Sequence, residues 1–180
     1  MSEQDLERLK YPVGRFEAGP APDSGLRREM IRELEQFPAQ LRAAVEGLNP
    51  EQLDTRYRPD GWTIRQVVHH LPDSHMNSYV RFKLAVTEEV PTIRTYEEAR
   101  WAELEEARTA DPELSLSLLE ALHARWTLFL AQVPESGWSR TMAHPEMGPL
   151  TMDDLLQLYV WHCRHHFAHI TNLKDRMNWA

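Results

Sequence analysis

Four stretches of this chain carry apolar residues at steps of three or four, the spacing that turns one face of an α-helix toward a core. In the first, Leu26, Met30, Leu34, Phe37, Leu41, Val45 and Leu48 share a side. Ser24 is placed to cap its start, Pro38 falls inside it and predicts a kink, and Asn49-Pro50 closes it. The second opens on Thr63-Ile64-Arg65-Gln66, a capping box in which hydroxyl and amide satisfy each other's backbone N–H groups, and runs to about Val86 with Pro72 disturbing it. Asp111-Pro112 starts the third, which carries Leu114, Leu118, Leu119, Leu122, Trp126, Phe129 and Leu130. Thr151 with Asp154 opens the last, with Leu155, Leu158, Tyr159, Ile170 and Leu173 on one side. No β-branched segment alternates with polar residues for long enough to predict a sheet. The pattern predicts an all-α four-helix bundle with room for a long crossover connection.

The rest reads as connections around one domain spanning 1–180. Residues 1–24 are predicted to form an extended arm, because Tyr11-Pro12-Val13-Gly14 and Gly19-Pro20-Ala21-Pro22 break helices. Residues 92–109 predict a short outer helix around Tyr96, Trp101 and Leu104, and Pro134 to Pro149 a polar loop. A chain of 180 residues can bury a core without staples. With 28 acidic against 20 basic residues, duplex nucleic acid and anionic membrane surfaces are poor partners. Seven glycines supply no phosphate-binding loop of the G-x-G-x-x-G or G-K-[ST] type. The single cysteine, Cys163, excludes an internal disulfide and a Cys-rich zinc site. The polar start MSEQDLERLK has no apolar h-region, and no apolar run approaches a membrane span, so the expected setting is cytoplasmic.

Nine histidines are the unusual feature, and their placement matters more than their number. His69, His70 and His75 fall in one window; His162, His165, His166 and His169 fall in another. At about 100° per residue, His162, His166 and His169 lie within about 40° of Leu155, in the middle of the apolar stripe, with His165 at its edge. A single histidine on such a face is usually a hydrogen-bonded core residue. Three together need partners for six ring nitrogens, and a metal ion satisfies several imidazoles at once. His162 and His166 also have the i, i+4 spacing that chelates one ion, although Cys163 stands where zinc proteases carry their glutamate. On an unbroken second helix, His75 would point into the face set by Ile64, Val68 and Leu71, with His69 and His70 flanking it. Pro72 removes that certainty and leaves all three open as a third ligand. Cys163 points off the ligand axis and reads as packing, Trp62, Trp126 and Trp161 as core or interface aromatics, and His123 and His144 as single residues, of which His144, in a loop beside Pro145, could reach the mouth of the site but reads more simply as a loop residue.

The run Gly61-Trp62-Thr63-Ile64-Arg65-Gln66-Val67-Val68-His69-His70-Leu71, followed by Asp73-Ser74-His75-Met76-Asn77-Ser78-Tyr79, resembles the DinB/YfiT-like superfamily. Within it, the similarity points to the branch of metal-dependent hydrolases and bacillithiol S-transferases. Tyr159-Val160-Trp161-His162, His165-His166-Phe167-Ala168-His169-Ile170-Thr171, Tyr11-Pro12-Val13-Gly14 and His144-Pro145 extend the resemblance over nearly the whole chain. It implies an antiparallel bundle, often a homodimer, holding one divalent ion, Zn2+ or Ni2+, on three histidines. The residues matching its ligands are His70, His162 and His166. His75 is thereby displaced to a supporting or substrate-contacting role.

A metal on three neutral imidazoles keeps its full charge and can bind a thiolate or activate water. The expected partners are small molecules, a thiol and an electrophile. Thiol transfer from bacillithiol is favoured over amide or ester hydrolysis by metal-bound hydroxide, because no dedicated base accompanies the pair. His75, Asp73 and Tyr79 are the catalytic candidates, with Asn77 able to orient groups and Arg81 expected on a solvated face. The non-enzyme alternative is a helical metal-binding or interaction module.

Overall fold

Each long helix begins on a side chain that satisfies its first free N–H groups. The computed structural model describes residues 2–179. Asp23 caps α2 (Ser24–Val45), Thr63 and Gln66 form the capping box of α4 (Ile64–Thr87), and Asp111 caps α7 (Pro112–Leu130). Thr151 and Asp154 form the box of α8 (Met152–Met177). The cap of α2 is therefore Asp23 rather than Ser24, which occupies the first helical position. Pro38 and Pro72 both sit inside helices that continue through them. Each removes one N–H from a helix whose other bonds and packing persist.

α2 and α4 each pack on both α7 and α8, so the two helices that come first in the chain lie across the bundle diagonal. The core lies between the four. Leu34, Phe37 and Leu41 enter it from α2, Val68, Leu71 and Phe82 from α4, Leu119, Trp126 and Leu130 from α7, and Leu155, Leu156 and Ile170 from α8. Leu114 and Leu118, read as core from their spacing, are exposed together with Leu26. Spacing alone does not say how far around a helix its neighbours reach.

Four connections differ from expectation. The arm contains α1 (Glu3–Lys10), started by a capping box of Ser2 and Asp5. It lies along α8, where Lys10 and Gly14 offer carbonyls to His169 and Trp161, and Gly19 N–H donates to Gln157. Asn49 does not end α2, which stops at Val45, but caps the single turn α3 (Pro50–Leu53). The stretch 92–109 holds two short helices, α5 (Glu98–Trp101) and α6 (Glu105–Thr109). The polar loop holds a hairpin, β1 (Thr141–His144) paired antiparallel with β2 (Gly148–Thr151).

Arg27 of α2 is buried against Asp153 of α8 through Nε to Oδ1 at 2.7 Å and Nη2 to Oδ2 at 2.9 Å, and it also pairs with Glu135. Removing one partner of such a pair leaves a charge without compensation. Asp153→Ala is expected to cost about 3–5 kcal/mol in urea unfolding; a loss below about 1 kcal/mol would show that Glu135 and water replace it.

Candidate metal centre

The centre forms where α4 faces α8. The Thr63 box starts α4 just after a tight turn, fixed by Gly61: a Cβ there would come within 2.6 Å of Arg58 Cγ. This entry sets Trp62 beside the first histidines of α4. The Trp62 ring lies 4.6 Å from that of His70 and stacks on His166 at 6.2 Å. His70 Nε2 and His162 Nε2 are 3.2 Å apart, and His70, His162 and His166 each offer a nitrogen within 4.8 Å of the others. His70 and His166 are buried, while His162 is partly open to solvent.

Burial pulls the pKa of His70 down to about 3 and those of His162 and His166 well below the ordinary histidine value, so all three are neutral. Neutral imidazole is the form that ligates metal. A tetrahedral ion at ~2.0–2.1 Å from its nitrogens sets them ~3.3 Å apart, which the His70–His162 separation of 3.2 Å already approaches. The residues fit a divalent ion. Among the described residues, the other group of three potential ligands is His165, His166 and His169, which shares His166. His169 uses Nε2 to bond the Lys10 carbonyl at 3.1 Å and stacks on Tyr57 at 3.9 Å, tying the arm to α8.

His75 is fully buried behind the cluster, with Nε2 3.1 Å from His162 Nδ1. Asp73 is half-buried, and burial first, then Glu106, pushes its carboxyl up to about 6. Tyr79 packs its ring against Phe129 at 6.4 Å, and Asn77 bonds the Asp73 carbonyl. Arg81 is not on a solvated face: it is buried and donates to the Arg94 carbonyl at 3.0 Å. His69 turns away to Ser115 at 2.7 Å. His144 accepts the backbone N–H groups of Glu146 and Met147 and closes the hairpin turn. Cys163 is buried, as its angle on the helix implied. His123 is the residue that sequence reasoning passed over, as it bonds His75 in the core at 2.7 Å. Its signal was present, since it stands four residues after Leu119 and three before Trp126 on the buried side of α7.

A cleft of about 520 Å³ opens beside His166, with Lys10, Tyr11, Tyr57, Arg58 and Trp62 around it. It is aromatic along its walls and carries two cationic side chains, Lys10 and Arg58, and one carboxylate, Asp60.

The sequence and fold recur in known proteins. YfiT of Bacillus subtilis, described as a probable metal-dependent hydrolase with an unusual four-helix bundle topology, is 49% identical in sequence. Its solved structure matches with a TM-score of 0.94 over 96% of this chain and 99% of that one. Relatives in Bacillus licheniformis, 48% identical over 97% of this chain and 99% of theirs, and in Oceanobacillus iheyensis, 48% identical over 94% and 98%, share that designation. The family model described as the DinB superfamily matches residues 33–170, from within α2 to the buried Ile170 of α8. With that match and the four-helix bundle in agreement, the chain belongs to the DinB superfamily.

Proposed function

We propose that this chain is a metal-dependent enzyme in which His70, His162 and His166 hold one divalent ion, Zn2+ or Ni2+, and that it transfers bacillithiol, a low-molecular-weight thiol, to electrophilic substrates. The observation that carries this reading is the donor set: three neutral imidazoles converge, and among the described residues no carboxylate or thiol joins the group. A divalent ion bound there supplies undiminished positive charge, which favours the thiolate form of a thiol brought against it.

The chain's own residues supply binding and orientation. Trp62 walls the cluster on one side and gives an apolar surface to the electrophile. Lys10 and Arg58 suit a carboxylate-bearing thiol, because charge-assisted hydrogen bonds are the strong ones. Burial pushes the Cys163 thiol up and keeps it protonated, so the reacting sulfur arrives with the substrate.

Hydrolysis of an amide or ester is the second reading, favoured by the designation that the relatives carry. On that reading Asp73, on the same helix as His70 and with its carboxyl pushed up to about 6, is suited to a general-base role. Protein loaded with Zn2+ or Ni2+ and supplied with bacillithiol and monochlorobimane should form the fluorescent conjugate well above the uncatalysed rate, and a chelator should abolish the excess. A rate equal to background, with metal-dependent cleavage of a model ester, would move the assignment to hydrolysis.

A further inference from the structure

His162 has a second ring nitrogen facing away from the cluster, and the groups behind it form a continuous chain. His162 Nδ1 lies 3.1 Å from His75 Nε2, His75 Nδ1 lies 2.7 Å from His123 Nε2, and His123 Nδ1 lies 2.5 Å from the backbone carbonyl oxygen of Leu34. The last member fixes the direction of every bond. A carbonyl oxygen only accepts, so His123 donates through Nδ1–H and its Nε2 keeps a lone pair. His75 must then donate through Nδ1–H, and its own Nε2 must accept the Nδ1–H of His162. The one proton of His162 is thereby committed to Nδ1. Its Nε2, the atom 3.2 Å from His70 Nε2, is left with a lone pair.

Two features make the chain a built one. The Leu34 carbonyl would ordinarily accept the N–H of the residue four positions later, and that residue is Pro38, which has none. Pro38, whose place inside the helix predicts a kink, also frees an acceptor in the core. His75 and His123 are both buried, against Phe37 at 6.0 and 5.9 Å and Trp126 at 5.8 and 5.4 Å, where no substrate reaches them. These apolar surroundings favour the neutral imidazole, in which each ring carries one proton.

We propose that His75 and His123 are positioning residues: anchored on the Leu34 carbonyl, they hold His162 in its Nδ1–H tautomer and present its Nε2 lone pair to the metal. The proposal rests on reading His162 as a ligand. Outer partners of this kind are worth about 10–100-fold in metal affinity.

Long-range 1H–15N correlation spectra of the metal-free protein report the tautomer directly, and competition with a chromophoric chelator reports Zn2+ affinity. His162 in the unaltered protein is expected as Nδ1–H. His123→Phe keeps the shape but removes both hydrogen-bonding atoms; it should move His162 toward the Nε2–H form and weaken Zn2+ binding about 10–100-fold. His123→Gln, whose amide oxygen can accept from His75, should recover both. An unaltered protein showing Nε2–H at His162 overturns the proposal, as does His123→Phe with tautomer and affinity unchanged. If His123→Phe fails to fold, the spectrum of the unaltered protein still decides. An unaltered protein that shows Nδ1–H yet binds no Zn2+ upholds the relay and overturns the metal assignment, so the two failures are told apart.

Discussion

His162→Ala is expected to lose both metal and activity while keeping its fold. Of the three proposed ligands, His162 comes from the partly open position and has its lone pair aimed at His70. Its removal leaves two imidazoles, fewer than the three protein ligands typical of a catalytic zinc site. Zn2+ affinity should fall at least ~100-fold, and bacillithiol conjugation should fall to background. The structural cost is smaller. His75 loses one hydrogen-bond partner in the core, worth about 1–3 kcal/mol, and no large apolar side chain is removed. Far-ultraviolet circular dichroism should therefore match that of the unaltered protein. A folded His162→Ala protein that retains one ion per chain would remove His162 from the site.

Acidification should unfold the metal-free protein over a narrow range. Burial holds His70 and His169 at about 3 and His123 and His165 at about 4 in the folded state, against an ordinary value of 6.5. Below 6.5 the unfolded chain takes up protons that the folded chain refuses. Stability is therefore fully present above 6.5 and is lost as pH falls toward 4 and 3. Each such histidine contributes about 1.4 kcal/mol per pH unit across that window. Several acting together remove the about 5–15 kcal/mol of a typical domain within one or two pH units. The midpoint is expected between pH 4 and about 6, read by circular dichroism, with more than one proton taken up per molecule. Bound Zn2+ should move the midpoint lower, because ligands must be unprotonated to hold it. A metal-free protein that stays folded through pH 4 would contradict the neutral, buried state of these imidazoles.

Periodicity and caps made the four long helices legible, since Thr63-Gln66, Asp111-Pro112 and Thr151-Asp154 each mark a start that the structure contains. The hairpin was not legible because Thr141–His144 and Gly148–Thr151 are too short for an alternating pattern. The helix in the arm was masked by the prolines that follow it, although Ser2 and Asp5 carry a complete capping box. In the site, the pairing of His162 with His166 followed from spacing along one helix. The choice of His70 over His75 did not, because Pro72 made the wheel unreliable and both residues in fact approach His162, one at each ring nitrogen. The spacing of His123 from Leu119 and Trp126 marks it as buried but says nothing of its partners. Its role depends on a carbonyl freed by a proline in another helix, a relation that exists only after α2 and α7 have packed.

His70, His162 and His166 are the proposed ligands of the ion. Anomalous scattering from crystals grown with Zn2+, with data at the zinc edge, locates the metal without reference to any activity. One peak at ~2.0–2.1 Å from an imidazole nitrogen of each of these three residues is the predicted result. A peak seated on His165, His166 and His169, or no ordered peak between α4 and α8, would contradict it.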